Sequence, residues 1–211
     1  MAAMTTELSP ARRYRGAEAE ERRAQRRSQL IAAAVQVYGE RGYQNATVKA
    51  VCEAAGLTER YFYESFANSE ALLLASYETV TRKLLHTLGR AGEENGGSGE
   101  QRALAMLRAY FGALQCEPRA ARVFLVEIRG VSKLVDEALA ISLSEFGALL
   151  ARTLLPGGRD GRELDPMLIA GVAGGIVHVA LYWIRNGYSP DVDTVARTAL
   201  QLALVLVSQP A

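Results

Sequence analysis

The segment that begins at Thr47 constrains the fold of this chain most, because it has the pattern of two short helices joined by a tight turn. Thr47 stands at the N-cap position of the first helix, and Gly56 stands where a left-handed residue ends it. Thr58 provides a second N-cap, and Phe62 and Phe66 follow on the inner side of the second helix. A helix, a short turn with glycine and a second helix is the geometry that lays a recognition helix into the DNA major groove. The segment predicts a DNA-binding regulator, although a helical hairpin that packs for stability alone has the same pattern.

The flanking sequence favours the DNA-binding interpretation. Residues 26–43 form an amphipathic helix pattern that ends at Gly42, and Asn68 or Ser69 can cap a further helix after Phe66. Together, residues 26–74 resemble the N-terminal domain of the TetR family of bacterial transcriptional regulators. The resemblance rests on the order and spacing of Arg41-Gly42-Tyr43, Ala46-Thr47-Val48, Ala54-Ala55-Gly56-Leu57-Thr58, Phe62-Tyr63, Phe66 and Glu70-Ala71-Leu72. It implies an all-helical homodimer whose larger C-terminal domain binds a small molecule that releases DNA.

The rest of the chain predicts helices throughout, so the fold class is all-α with about nine helices. With 211 residues and 49% hydrophobic content, the chain can bury the cores of one small and one medium domain. We expect a flexible basic tail over residues 1–20, a helix-turn-helix DNA-binding domain over 21–67, and a helical effector-binding and dimerisation domain over 68–211. Helices 4 to 9 are predicted at about 68–90, 100–115, from Pro118 through Ile128, 133–155, from Asp165-Pro166 to Asn186-Gly187, and from Ser189-Pro190 to 207. The clearest loops are 92–99, 156–158 and 159–163.

Seven arginines lie close together in the N-terminal part of the chain. The net charge of the whole chain is only +1, so it predicts no overall electrostatic attraction to nucleic acid. Three glutamates lie among the arginines and can pair with them along a helix. The segment is therefore either a solvated helix face with a disordered tail, or an arm that touches DNA phosphates. The residues concerned are Arg12, Arg13, Arg15, Arg22, Arg23, Arg26 and Arg27, with Glu18, Glu20 and Glu21.

The family resemblance assigns DNA-contact roles to two positions. Thr47 matches a phosphate-contacting Ser or Thr, and Tyr63 matches a recognition-helix tyrosine that contacts phosphate. Among the remaining positions, Arg60 can pair bidentately with guanine, and Tyr61 can contact thymine methyls or a phosphate. The complete predicted DNA-binding set is Thr47, Lys49, Thr58, Glu59, Arg60, Tyr61, Tyr63 and Glu64.

Three features depart from the family pattern. Ser69 stands where the family often has Lys, and Arg60 where it often has Gly. Glu59 and Glu64 add negative charge to the helix that approaches DNA. Glu64 follows Arg60 by four residues and can either restrain its guanidinium or accept from cytosine.

By the same resemblance, an effector pocket lies among helices 4 to 8, and its mainly apolar candidates indicate a hydrophobic or aromatic ligand. Two polar residues interrupt apolar runs and need partners if buried. For Glu127 a salt bridge to Arg122, Arg129 or Lys133 is the favoured alternative, and for His178 a core or interface position. The predicted ligand-binding residues are Tyr110, Phe111, Leu114, Phe124, Glu127, Ile128, Phe146, His178, Tyr182 and Trp183.

The last two helices are predicted to form the dimer interface. Helix 8 is apolar around most of its circumference and carries small residues, Ala170, Gly171, Gly174 and Gly175, at spacings that permit close helix approach. Helix 9 is apolar on two sides, and we expect Leu204 to face the partner subunit. An intramolecular core is the alternative. The two sides of helix 9 carry Val195, Ala199, Leu202 and Leu206, and Leu200, Leu204 and Val207.

Other functional classes find little support in the sequence. The two histidines, His86 and His178, have no metal-ligand spacing, and no phosphate loop or nucleophile motif is present, so we expect neither catalysis nor a metal or cofactor. Two isolated cysteines and the absence of a signal-peptide pattern or a clear membrane span indicate a soluble cytoplasmic protein. The alternative function is that of a helical dimer acting only as a protein-interaction module.

Overall fold

A computed structural model describes the backbone of residues 10–155 and 164–208, and the side chains of residues 18–155 and 164–208. Over these residues the chain forms nine α-helices and no strand, which confirms the predicted fold class. Short 3₁₀ turns at Tyr43–Asn45 and Leu204–Leu206 and a π-helical turn at Val123–Glu127 supplement them. The helices are α1 (Pro10–Arg41), α2 (Val48–Ala55), α3 (Glu59–Ser65), α4 (Ser69–Glu94), α5 (Gly99–Cys116), α6 (Pro118–Arg122), α7 (Lys133–Leu154), α8 (Pro166–Arg185) and α9 (Val192–Ala203).

The C-terminal half of α1 packs against α2 and α3 to form the small N-terminal domain. Leu30 of α1, Val51 of α2 and Phe62 of α3 are almost completely buried, with exposed fractions of 0 to 1%. Burial of such apolar side chains removes their surface from water, at about 25 cal/mol for each Å². This small core holds the short helices α2 and α3, which have too few residues to be stable alone.

The larger C-terminal domain is built around α5, which contacts α4, α7 and α9. Aromatic side chains join these helices: Tyr110 of α5 stacks on Phe146 of α7 at a centroid distance of 5.4 Å. Phe111 of α5 meets Trp183 of α8 edge to face, also at 5.4 Å. Because these side chains are nearly completely buried, the aromatic layer defines the centre of the domain.

The two domains are connected by α4 and by a close contact between α1 and α6. At Gly39 of α1, a Cβ atom would lie 2.5 Å from the Cβ of Arg119 on α6, so only glycine permits this approach. Arg119 also pairs with Glu40 of α1 at 2.8 Å. The end of α1 is therefore fixed against α6 of the C-terminal domain.

Helix α1 begins at Pro10, well before the predicted start near residue 26. Residues 10–20 are thus helical, which disagrees with a flexible tail over that range, and residues 1–9 lie outside the described residues. Arg22 pairs with Glu18 at 3.9 Å, one helical turn away, as the interleaved charges predicted. Glu20 and Glu21 are exposed, and the predicted loop over 156–163 also falls outside the described residues.

The connection between α4 and α5 is shorter than the predicted loop over residues 92–99. Gly92, Glu93 and Glu94 complete the last turn of α4, and α5 begins at Gly99. Ser98 and Gln101 form a reciprocal capping box at the start of α5. This cap satisfies two backbone groups that a long loop would leave to solvent, and it fixes the helix start.

Helix α9 begins later than predicted, because Asp191 caps it instead of Ser189. The Asp191 carboxylate accepts hydrogen bonds from the backbone N–H groups of Asp193 at 2.9 Å and Thr194 at 3.1 Å. The predicted pairing of cap and proline does hold for α8, where Asp165 precedes Pro166. Helix 6 also differs from prediction, because its α-helical part ends at Arg122 and the apolar run continues as the π-helical turn.

Helix α8 is long and apolar enough to cross a membrane by length and composition alone, with a mean hydropathy of 1.9 in its most apolar window. Its buried side is occupied inside the domain, where Ile176 and Trp183 have exposed fractions of 0 and 1%. Packing against α7 and α9 therefore accounts for one side of this apolar helix.

Candidate functional site

Helix α2 begins and ends with the caps that the sequence predicts. The Thr47 hydroxyl accepts a hydrogen bond from the backbone N–H of Ala50 at 3.1 Å, which fixes the first turn. Gly56 ends the helix in the left-handed region, with φ of 65° and ψ of 29°. The backbone N–H of Leu57 then returns to the Cys52 carbonyl at 2.9 Å, closing the turn that leads into α3.

Helix α3 buries one side and exposes the other. Phe62 and Phe66 are 0% and 4% exposed, with ring centroids 6.0 Å apart, and they anchor α3 to the domain core as predicted. Thr58 occupies the N-cap position, but its side chain makes no capping hydrogen bond. The Thr58 hydroxyl is therefore free for another partner, in contrast with Thr47.

All eight residues of the predicted DNA-binding set lie on α2, α3 or their N-caps. Tyr61 is half-buried and the other seven are exposed. Tyr63 has 61% of its surface exposed although its ring touches Phe62, so its hydroxyl extends into solvent. An exposed aromatic ring held by a buried one is a rigid group that can contact a nucleic-acid backbone.

The Arg60 guanidinium is held by Glu64, with 2.9 Å between Nε and the carboxylate oxygen. The Arg60 side chain is nevertheless 83% exposed, so its remaining N–H groups are available to a guanine edge. Lys49 and Glu53 make a looser pair on α2, at 3.9 Å. Exposed ion pairs of this kind contribute little to stability, so their cationic side chains can readily bind a phosphate or a base instead.

Arginines of α1 surround the C-terminal end of α3. Arg23 donates a hydrogen bond to the Glu64 carbonyl and Arg27 donates to the Ser65 carbonyl, both at 2.9 Å. Arg26 lies over the Tyr61 ring at 4.5 Å, and Arg27 lies over the Phe66 ring at 4.1 Å. These arginines satisfy the last carbonyls of α3 and stabilise its negative dipole end, and they bring positive charge beside the exposed side of the helix.

Three neighbouring cavities of the C-terminal domain are lined in part by helix α4. The first, which we call the outer cleft, has a volume of about 470 Å³ and separates α4 from α7. The second, the α6 pocket, has about 160 Å³ and lies between α4, α5 and α6. The third, the core cavity, is a narrow gap of about 10 Å³ between them.

The cavities share lining residues and form one series. The outer cleft and the core cavity share Thr81, Leu85 and Ser142. The core cavity and the α6 pocket share Leu84 and Phe124. The outer cleft has a charged rim, with exposed Arg82, His86, Glu78 and Glu145, whereas the interior is mainly apolar. This combination suits an amphipathic ligand, with a polar part outside and an apolar part inside.

Four of the predicted ligand-binding residues line these cavities. Tyr110, Phe124 and Phe146 surround the core cavity, and Leu114 lies in the α6 pocket. Burial raises the pKa of the Tyr110 hydroxyl, which therefore stays protonated and able to donate at neutral pH. Phe111, Ile128 and Trp183 are buried but line none of the three cavities. The Trp183 indole donates to the Pro190 carbonyl at 2.5 Å, so its polar group is already satisfied.

Three predicted ligand-binding residues lie away from the cavities. His178 and Tyr182 are exposed on the outer side of α8, with Tyr182 66% exposed, so a core position for His178 is wrong. Glu127 pairs with Arg122 at 2.8 Å, the salt bridge that the sequence favoured. Its second oxygen accepts from the backbone N–H of Tyr43 at 2.7 Å. Glu127 therefore joins the domains and does not line the pocket.

Sequence reasoning missed the outer cleft, which is lined by α4 and α7 side chains. One signal was available, because Thr81 lies four residues after Tyr77 and three before Leu84 and therefore shares an apolar side of the predicted helix with them. A polar residue in such a stripe is buried and needs a partner. Ser142 of α7 is buried in the same way and makes a hydrogen-bond contact with the Tyr77 hydroxyl.

An exposed apolar surface runs along α8 and the end of α9. Its large members are Met167, Tyr182, Leu202 and Val205, which are 81%, 66%, 38% and 45% exposed. For helix 9, the alternative of an intramolecular core holds for most of the apolar side chains on its two sides, because they are buried in the domain's own core. These are Val195, Ala199, Leu200 and Leu206, while Leu204 and Val207 are half-buried.

Among the residues that the structure describes, no three His, Cys, Asp or Glu side chains come together in a way that could hold a metal ion. The two cysteines are unpaired and differ in environment, Cys52 being buried in α2 and Cys116 exposed at the end of α5. Burial raises the pKa of the Cys52 thiol. This thiol therefore behaves as a small apolar core group.

Comparison with known proteins agrees with this geometry. Residues 30–76 match the family described as bacterial regulatory proteins, tetR family. The transcriptional repressor KstR2 of Rhodococcus jostii RHA1 is 27% identical over 192 residues, covering 88% of this chain and 92% of the relative. The fatty acid metabolism regulator protein of Bacillus subtilis is 24% identical over 182 residues, covering 82% and 91%.

Solved structures share the whole architecture. The regulator FadR of Bacillus subtilis, solved in complex with stearoyl-CoA, has a TM-score of 0.72 and 22% identity, and the match covers 87% of this chain and 99% of that one. FadR of Bacillus halodurans also has a TM-score of 0.72, with 23% identity and 88% and 97% coverage. The capped α2, the glycine turn and the half-exposed α3 lie within the matched family segment. Residues 30–76 therefore form a DNA-binding domain of the tetR-family type, and the chain, which is similar over most of its length to regulators that carry this domain, is a DNA-binding regulator of transcription.

Proposed function

We propose that this protein binds a palindromic operator as a homodimer, represses transcription there, and is released by a hydrophobic effector of the acyl-CoA type. The DNA-binding part of this proposal rests on the geometry of α3. This helix buries Phe62 and Phe66 and exposes Arg60 and Tyr63. A helix held in this way presents its outer side chains to the major groove without disturbing its core.

Within this interface, Arg60 and Tyr61 read base edges, and Thr47, Lys49 and Tyr63 contact phosphates. Thr58, Glu59 and Glu64 lie on the same exposed surface. The α1 arginines extend the interface, because Arg23 and Arg26 already contact the exposed part of α3. Positive charge placed there offsets the carboxylates of Glu59 and Glu64 as the phosphates approach.

The dimer interface that we propose is the exposed apolar surface of α8 and α9. Met167 and Tyr182 of α8, Leu202 of α9 and Val205 of the 3₁₀ turn after α9 are exposed, and Ala170 and Gly171 leave α8 open to close approach. A two-fold axis through this surface brings each apolar side chain against its counterpart or a neighbour, as an isologous interface requires. The two recognition helices of the dimer then bind two half-sites related by the same two-fold axis, so the operator should be palindromic.

The effector class rests on the cavity series and on two relatives. The outer cleft has a charged rim and leads towards apolar space, which fits a ligand with a polar head and a long apolar chain. The Bacillus subtilis FadR structure holds stearoyl-CoA, and a Bacillus subtilis relative is a fatty acid metabolism regulator. Both relatives support an acyl-CoA ester as the first ligand to test on this chain.

The experiment is a selection of bound duplexes from a random DNA library, followed by release of the enriched duplex with stearoyl-CoA. We expect one enriched palindrome and loss of binding on addition of the ester. If no sequence is enriched, the protein is instead a helical dimer that serves only as an interaction module. If a sequence is enriched but stearoyl-CoA does not release it, the DNA-binding part of the proposal stands and stearoyl-CoA is rejected as the effector.

A further inference from the structure

The core cavity contains a buried hydroxyl that has no partner. The Tyr110 side chain has 1% of its surface exposed and lines this cavity from α5. Its hydroxyl makes no hydrogen bond with any residue within the described part of the chain. Native proteins pair almost all of their buried polar groups, so an orphan of this kind needs a specific explanation.

None of the neighbouring hydroxyls forms a hydrogen bond with Tyr110. Ser142 donates its proton to the Leu139 carbonyl at 2.9 Å, and its oxygen is in contact with the Tyr77 hydroxyl. Thr81 is the other hydroxyl on the cavity wall, and it makes no hydrogen bond to Tyr110. The remaining lining is aliphatic or aromatic. Because no described side chain accepts from Tyr110, a molecule that occupies the cavity can supply the acceptor.

The position of Tyr110 places it between the two larger spaces. The core cavity shares Thr81 and Leu85 with the outer cleft, and Leu84 and Phe124 with the α6 pocket. A ligand that extends from the outer cleft towards α6 crosses the core cavity, whose lining includes Tyr110. At about 10 Å³ the core cavity is too narrow for an alkyl chain, so the lining side chains must move apart when such a ligand binds.

We propose that the effector presents a hydrogen-bond-accepting oxygen to the Tyr110 hydroxyl, and that Tyr110 thereby selects an oxygen-bearing ligand over an equally long hydrocarbon. This inference rests on the acyl-CoA class of the proposed function. The oxygen has two possible sources in such a ligand, the thioester carbonyl or an oxygen further along the chain. A site built to bond an oxygen discriminates strongly against an analogue that lacks it, because the protein group is then left unpaired.

The competing occupant is a single water molecule between Tyr110 and Thr81. A buried water needs two to four polar partners, and these two hydroxyls meet only the lower end of that range. If water is the resident partner, removing the Tyr110 hydroxyl breaks a hydrogen bond in the free protein. If the hydroxyl is unpaired without effector, removing it leaves the free protein equally or more stable.

The test compares matched CoA ligands on the full-length wild type and the Tyr110→Phe variant by titration calorimetry. One arm pairs stearoyl-CoA with S-octadecyl-CoA, which lacks the carbonyl, and the other pairs stearoyl-CoA with a positional series of hydroxystearoyl-CoA esters. We expect the wild type to favour the oxygen-bearing member of one pair by about tenfold or more. The preference should disappear in Tyr110→Phe, and the arm that shows it identifies the source of the oxygen.

Tyr182→Phe is the control, because it removes the same atom from a side chain that is 66% exposed on α8. It should retain the wild-type preference. The proposal is overturned if the wild type prefers no oxygen-bearing ligand, if Tyr110→Phe keeps the preference, or if that variant lowers the melting temperature of the free protein without changing ligand choice. If the wild type binds none of the CoA ligands, both the acyl-CoA class of effector and the role of Tyr110 are rejected. DNA binding is tested separately, because the selection of an enriched operator does not depend on the effector.

Discussion

The Glu127 carboxylate accepts a hydrogen bond from the backbone N–H of Tyr43 at 2.7 Å, although the two residues lie 84 positions apart in the sequence. The π-helical turn that contains Glu127 follows α6 directly, and Tyr43 follows the end of α1. The other carboxylate oxygen accepts from Arg122 Nε at 2.8 Å. This small cluster, together with the Arg119–Glu40 pair, joins the helix beside the α6 pocket to the helix that supports α2 and α3.

Glu127→Ala should weaken the effect of the effector on DNA affinity, because a shift of α6 is then no longer passed to the end of α1. It should also lower the free energy of unfolding by about 1–3 kcal/mol, since a half-buried backbone N–H and Arg122 lose their partner. Operator affinity measured with and without saturating stearoyl-CoA gives the coupling. Glu137→Ala removes an exposed glutamate that pairs with Lys133 on α7 and should leave the coupling unchanged. Equal coupling in all three proteins would contradict this role.

Arg60→Ala should relax base preference at one position in each half-site, at a cost of about 1–3 kcal/mol there, because a bidentate contact to guanine is lost. Tyr63→Ala should instead weaken binding to all duplexes alike, since phosphate contacts carry no sequence information. A base-by-base competition assay separates the two effects. If both variants keep the wild-type profile, the assignment of the α3 residues is wrong.

Replacing Arg22 and Arg23 by Gln should make operator binding less sensitive to salt. Each phosphate contact contributes about 0.9 to the slope of log affinity against log salt, so two lost contacts lower the slope by about 1.8. The control replaces Arg90 and Arg152, which are exposed near the far ends of α4 and α7, and it removes the same charge. An unchanged slope in the first variant would show that the α1 arginines stabilise α3 without touching DNA.

Val205→Glu should yield a monomer that has lost specific operator binding. Val205 is 45% exposed on the proposed interface, and a two-fold axis places two new charges in one apolar contact. Leu134→Glu is the matched control, because Leu134 is 56% exposed on α7, outside that surface. Sedimentation velocity measures the assembly state. An intact dimer for Val205→Glu would place the interface elsewhere.

The contact between α9 and α5 should weaken in acid. Hydrogen bonds from Arg197, and then from Arg108, lower the pKa of Asp193 below its ordinary value of 3.8. A lowered folded-state pKa means that the contribution to stability is complete above the ordinary pKa and is lost as the pH falls through the folded value. Asp193→Asn should reduce the melting temperature at pH 6, and the difference from wild type should shrink below about pH 4. A difference that stays constant from pH 6 to pH 3 would exclude this contribution.

Residue order and spacing specify the local structure of the DNA-binding domain. Thr47, Gly56 and the pair Phe62 and Phe66 act through hydrogen bonds, backbone preferences and helical spacing within a few residues, so their roles can be inferred from order alone. The same holds for Asp165-Pro166 at the start of α8. Where local signals compete, as at Ser189 and Asp191, the sequence does not decide which residue caps the helix.

The buried sides of the C-terminal helices depend on how these helices pack against one another. Helices α8 and α9 are apolar on more than one side, and helical periodicity does not state which side the protein covers itself. Leu200 and Leu206 are buried in the domain, whereas Leu202 and Val205 are exposed, and His178 and Tyr182 face outward although they interrupt or follow an apolar run. Glu127 accepts a hydrogen bond from Tyr43, and Thr81 lines the cavity beside Tyr110, only because segments distant in the sequence pack together. Such contacts depend on how whole helices are placed against one another, and no local spacing specifies that arrangement.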